Sequence, residues 1–159
     1  MKNIDFKFTM TLKNDDELDE LERKLVETAK QATFSSYAPY SNFSVGAALL
    51  LSNGEIVTGA NQENSAFPSG LCAERTAIFY ANAKYPDSPF EYLVIAARNS
   101  EGKFTQEPVY PCGACRQVFV EVVSRFKKTF KVLLYGTKGT YVIDSALDLM
   151  PLSFDASYL

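Results

Sequence analysis

The sequence predicts an α/β fold, a three-layer α/β/α sandwich around a central mixed β-sheet, and three observations carry that prediction. Strand-like and helix-like periodicities alternate through the second half of the chain, which implies crossover helices and parallel pairing. An Asn53-Gly54 turn between two apolar runs implies an antiparallel hairpin in the same sheet. At 159 residues there is chain enough for one hydrophobic core but not for two. The expectation is a single domain over residues 1–159, with residues 1–14 as an additional N-terminal strand.

That leading strand is read from Ile4, Phe6, Phe8, Met10 and Leu12, which alternate with more polar residues through Met1–Asn14. Asp15 and Asp16 then offer an N-terminal cap. Leu18, Leu21, Leu25, Ala29 and Ala32 recur at three- and four-residue steps, predicting an amphipathic helix that ends near Ser35. Phe43 to Ser52 reads as an apolar strand, and Glu55 to Ala60 as its hairpin partner. Leu71 to Lys84 is nearly apolar all round in its middle, which predicts a covered, central helix with Glu74 starting inside. Glu91 to Ala97 predicts a buried strand. Pro111-Cys112 opens a further helix with Cys115, Val118, Phe119, Val122 and Phe126 on one face. Phe130–Tyr135 and Thr140–Ile143 supply two more strands, and Ser145–Met150 a last short helix.

Composition narrows the function. Lysine and arginine number 16 against 19 acidic residues, a net charge of −3 without long runs of either sign. A nucleic-acid surface would usually show a basic stripe, and none is present. The N-terminus lacks a signal-peptide pattern, no apolar run approaches a membrane span, and three cysteines fit a reducing compartment better than a disulfide scaffold. The expectation is a cytoplasmic protein.

The chain has no histidine, and its three cysteines all fall in two short motifs, Leu71-Cys72-Ala73-Glu74-Arg75 and Pro111-Cys112-Gly113-Ala114-Cys115-Arg116. Isolated cysteines are often small buried hydrophobes, and a Cys-x-x-Cys pair can be a redox couple. A structural zinc knot would close its fourth position with another cysteine or a histidine, and this chain has neither to give. Cys112 and Cys115, three apart, share one face of a helical turn, and Cys72 can complete a set of three thiolates. Such a set leaves one tetrahedral zinc position open, as catalysis requires. Helix N-termini favour thiolates at both motifs. Three thiolates on a divalent ion leave one net negative charge, so Arg75 and Arg116 are expected to hydrogen-bond the sulfurs and withdraw electron density. Glu74 is the natural proton carrier beside a water on the metal, although its spacing from Cys72 does not by itself put both side chains on one helix face.

These residues resemble the zinc deaminase signature, a Cys-x-Glu followed by Pro-Cys-x-x-Cys. Together with Tyr37-Ala-Pro-Tyr-Ser-Asn-Phe-Ser-Val-Gly-Ala47, Asn61-Gln-Glu-Asn64 and Cys112-Gly-Ala-Cys-Arg-Gln117, the chain is similar to the small homotetrameric cytidine deaminases over residues 36–154. The resemblance implies one zinc ion per chain held by Cys72, Cys112 and Cys115, and hydrolytic deamination of cytidine and 2′-deoxycytidine in pyrimidine salvage. In that scheme zinc-bound water attacks C4, Glu74 carries its proton to N3 and then to the departing amine, and ammonia leaves. It also implies that Asn61 and Glu63 hold the ribose, that Phe43 packs on the pyrimidine, and that Ala73 contacts the substrate. Phe67 and Phe154 would reach into a neighbouring subunit's site in a shared-site tetramer. Position 67 is phenylalanine where relatives often carry tyrosine, so a packing role alone is implied there. Three alternatives stay open in the sequence: a deaminase of another cytosine nucleoside of antibiotic type, a polynucleotide editor, and a non-catalytic zinc module.

Overall fold

A computed structural model describes residues 1–159. Six strands, β1 (Thr11–Lys13), β2 (Ser44–Leu51), β3 (Ile56–Ala60), β4 (Phe90–Arg98), β5 (Lys131–Gly136) and β6 (Gly139–Ile143), form one mixed sheet in the order β1-β6-β5-β4-β2-β3. Only β4 and β5 pair in parallel, joined by the crossover helix α3 (Gly113–Phe126); every other adjacent pair is antiparallel. The Asn53-Gly54 hairpin forms as expected, with Gly54 at φ +85°, where a side chain would be strained.

The two faces of the sheet bury different helices. On one face Ala47, Leu49, Leu93, Ile95, Val132 and Leu134 pack against α3 and α2 (Ala73–Lys84). On the other, Ala48, Val94, Ala96, Leu133 and Val142 pack against α1 (Glu20–Ala32) through Leu25, Val26 and Ala29. Alternation of apolar side chains along β2, β4 and β5 feeds both layers, which gives the expected three-layer sandwich.

Helix α1 starts later than Asp15 and Asp16 suggest. Asp19 is its cap, accepting from the Glu22 amide at 2.8 Å, while Glu22 reaches back to the Asp19 amide at 3.1 Å, a reciprocal capping box. The last short helix is a 3-10 segment, Ala146–Leu149. No helix is long and apolar enough to cross a membrane.

Two expectations need correction. The strand predicted over Met1–Asn14 is a strand only at Thr11–Lys13, because its partner runs out: Thr11 pairs with Val142, so Met10 would already face the last residue of β6. Residues 1–10 carry on past the end of that ladder and are exposed. Helix α2, in turn, is not covered all round, since Phe79 and Tyr80 face out of the chain.

Candidate active site

Cys72 is the residue that precedes α2, and Cys112 the one that precedes α3; Cys115 lies in the first turn of α3 and is buried. Neither Cys72 nor Cys112 caps its helix through a side-chain hydrogen bond, so both sulfurs are free to point elsewhere. They point at one another. The Sγ atoms of Cys72 and Cys112 are 3.8 Å apart, those of Cys112 and Cys115 are 3.5 Å apart, and all three lie within 4.8 Å. Tetrahedral zinc with sulfur at about 2.3 Å places its ligand atoms about 3.8 Å from one another, so this triangle fits the ion.

The position of α2 depends on Gly59 in β3. A Cβ there would sit 2.4 Å from the Ala73 carbonyl and 2.5 Å from the Ala77 amide, so only glycine lets β3 lie this close under the first turns of α2. That contact seats Ala73, which is fully buried, and Glu74 beside it.

The electrostatics follow the packing. The Cys72 thiol is pushed down to about 5, first by the nearby Cys115 thiol and then by Arg75, whose Nη2 lies 3.6 Å from the Cys72 sulfur. Cys115 moves the other way, because it shares its proton with Cys72 and is buried. Bound zinc would remove that proton and leave three thiolates. Glu74 is only 4% exposed, and burial holds its carboxyl above the ordinary range. Arg75 meets its expectation of a bond to sulfur. Arg116 does not: its Nε donates to the Pro111 carbonyl at 2.9 Å and its Nη1 to the Leu149 carbonyl at 3.1 Å, which fixes the turn before α3 instead. Sequence adjacency to Cys115 gave no direction for this side chain, and α3 turns it toward the 3-10 segment.

A cavity of about 490 Å³ opens over Cys72 and Arg75 and is walled by Asn61, Glu63, Leu71 and Phe67. Glu63 is held by a loop: Oε1 accepts from the Ser41 hydroxyl at 2.5 Å, and Oε2 from the Tyr40 and Ser41 amides at 2.9 and 3.2 Å. Those three donors, the hydroxyl foremost, hold its carboxyl below the usual range. Asn61 is largely spent on the chain. Its Oδ1 accepts from the Val45 amide at 2.7 Å and the Ser36 hydroxyl at 2.6 Å, and its Nδ2 donates to the Phe43 carbonyl at 2.9 Å. One amide hydrogen is left for a ligand.

Phe67 is 74% exposed at the cavity wall, edge-on to Tyr40. Phe43 is half-buried at the entry to β2 and does not line the cavity. Phe154 is 60% exposed, stacks on Tyr158 and is also away from it, with its carbonyl accepting from Gln117. Tyr40 and Ser41 were not expected at the site from residue chemistry; the one available signal was their place in the Tyr-Ala-Pro-Tyr-Ser-Asn stretch.

A six-stranded mixed sheet that brings two helix N-termini and three sulfurs together beside a buried glutamate defines a zinc-binding deaminase architecture. The model for the cytidine and deoxycytidylate deaminase zinc-binding region matches residues 19–131, and the chain belongs to that family. It is 41% identical over 138 residues to a cytidine deaminase of Sporosarcina psychrophila, covering 85% of this chain and 94% of the relative. It is 39% identical over 132 residues to one from Halalkalibacterium halodurans, covering 83% and 92%. The crystal structure of cytidine deaminase from Burkholderia pseudomallei superposes with a TM-score of 0.71 at 41% identity, covering 82% of this chain and 97% of that one.

Proposed function

We infer that the chain catalyses zinc-dependent hydrolytic deamination of cytidine and 2′-deoxycytidine to the uridine forms, with release of ammonia. One observation carries this reading: three sulfurs converge within 4.8 Å, with Glu74 buried in the first turn of α2, and one of them, on Cys72, borders a cavity whose wall offers Glu63 and Asn61. Zinc, when bound by Cys72, Cys112 and Cys115, supplies the Lewis acidity that makes water nucleophilic near neutral pH.

The side chains do the rest. Glu74 takes one proton from the attacking water and delivers it to N3 of the pyrimidine, then takes the second from the hydroxyl now on C4 and gives it to the exocyclic amine as the C4–N bond breaks; cytidine and water become uridine and ammonia. Burial suits Glu74 to the first of these steps, because a carboxylate with a raised pKa is a stronger base and takes the water's proton more readily. Arg75 draws charge from the Cys72 sulfur. Glu63, with its own acceptor sites already ordered by Ser41 and Tyr40, accepts from a ribose hydroxyl, and the remaining amide hydrogen of Asn61 donates to one. The family resemblance assigns the base to Phe43 and the Ala73 backbone; Phe43 stands outside the cavity lining and Ala73 is fully buried, so both contacts require a local shift at the entry to β2 and the start of α2 when the pyrimidine binds.

The active unit is a homotetramer with shared sites. Phe67 and Phe154 stand out from their own chain, and the outward Phe79 and Tyr80 of α2 give a partner an apolar face to cover. Three unbridged cysteines suit a cytoplasmic setting. Bound zinc measured alongside the ultraviolet change on adding cytidine tests the reading. Stoichiometric zinc with cytidine turnover is expected, and little activity on cytosine without ribose. Metal-free protein with full activity, or preference for an oligonucleotide, would overturn it.

A further inference from the structure

Residues 1–10 form an arm that the catalytic reading does not use. They lie outside the family match, which begins at residue 19, and beyond the end of the β1·β6 ladder. Phe8 and Met10 border a shallow apolar groove with Ile143, Leu149 and Pro151, but the outer half of the arm covers nothing: Ile4 is 76% exposed and Phe6 61%. The arm keeps strict alternation, with Ile4, Phe6, Phe8 and Met10 on one side and Asn3, Asp5, Lys7 and Thr9 on the other. Drawn out as a strand, it would extend β1 at the edge of the sheet with unpaired backbone and a one-sided apolar face.

We propose that the arms of two copies of this chain pair as antiparallel strands about a two-fold axis through Phe6. Charge decides both the partner and the register. In an antiparallel pair that keeps the apolar faces together, centring on residue 5 sets Asp5 against Asp5 of the second copy, and centring on residue 7 sets Lys7 against Lys7. Centring on Phe6 sets Asp5 of each arm against Lys7 of the other, Ile4 against Phe8, and Asn3 against Thr9. Opposite charges directly across a strand pair stabilise it, and like charges oppose it. The contact is isologous, the same patch serving both copies, so it closes on two chains and does not propagate. It is distinct from the contacts proposed for the shared-site tetramer, because it uses none of Phe67, Phe79, Tyr80 and Phe154.

The register is tested by cysteine substitution in the full chain. Opposed Cα atoms in an antiparallel pair lie about 4.5–5.5 Å apart, inside disulfide reach, whereas the two residues at position 7 would be about 8 Å apart and outside it. Phe6→Cys under mild glutathione oxidation is expected to give a disulfide-linked pair of chains at least about tenfold faster than Lys7→Cys, with the unsubstituted chain, which carries only the three native cysteines, giving none. Adding Asp5→Lys to Phe6→Cys is expected to slow the linkage several-fold, and adding Lys7→Asp as well to restore it. Zinc content and deamination stay at the level of the parent in every variant. Equal linkage at positions 6 and 7, no linkage at position 6, or no rescue by the double charge exchange would each overturn the proposal.

Discussion

At the sulfur corner the ligand atoms hang from the starts of α2 and α3, with Cys115 buried and Glu74 all but sealed from solvent, whereas at the rim Glu63 is held by the Tyr40 and Ser41 backbone and one hydroxyl at the surface. The corner is fixed by helix packing on the sheet, through contacts such as Gly59 under Ala73; the rim is fixed by a few hydrogen bonds between loops. Damage at the corner should therefore remove the chemistry outright, and damage at the rim should weaken binding while the chemistry persists.

The largest effect is expected at the metal. Cys112→Ala should lose zinc, all measurable turnover and part of the thermal stability, because the ion couples α3 to α2; zinc content and a melting curve check it, and retained stoichiometric zinc would contradict the assignment. Glu74→Gln keeps all three sulfurs, so it should hold zinc while kcat falls by roughly 10²–10⁴-fold, the usual worth of a positioned proton carrier. Full activity in that variant would place the proton transfer elsewhere.

Gly59→Ala probes the packing that supports the corner. Its new methyl runs into two backbone atoms of α2, and overpacking of this kind costs about 1–3 kcal/mol, so the melting temperature should fall by several degrees and kcat should fall with it. A variant as stable as the parent would mean that α2 can shift without cost.

The smallest effect belongs to the rim. The Glu63 carboxyl is more acidic in the folded chain than in an unfolded one, so its contribution is fully present above the ordinary carboxylate pKa and is lost as pH falls through the lowered value. Ser41→Ala removes the strongest of the three donors. The acid-side rise in KM for cytidine should then begin at a higher pH, while kcat near neutrality changes little. An unmoved acid limb would separate Glu63 from ribose binding.

The corner was legible in the sequence because its logic is local: Cys-x-x-Cys at a helix start puts two sulfurs on one face, and Cys-x-Glu at another supplies the third sulfur and the carboxylate, though not their shared orientation. The sheet layers were legible from alternation along β2, β4 and β5. What failed depended on partners distant in the chain. The alternation of residues 1–10 is strand-like, yet β6 ends before it can pair with them. Arg116 was assigned to sulfur by adjacency, but the Leu149 carbonyl, 33 residues on, claims its guanidinium. Asn61 reads as a free sugar ligand, and only the fold reveals that Val45, Ser36 and Phe43 occupy most of its amide.

The missing side-chain caps on α2 and α3 have a dynamic consequence. Helix α1 closes its own start with Asp19 and Glu22, but the other two begin at cysteines whose sulfurs are turned to one another, where they would hold a common ion. Stripping that ion should let both first turns fray together, with amides of residues 76–78 and 116–118 exchanging with deuterium many-fold faster while those of α1 keep their protection. Chelation would then be felt as a paired loosening at two sites far apart in the chain, not as general unfolding.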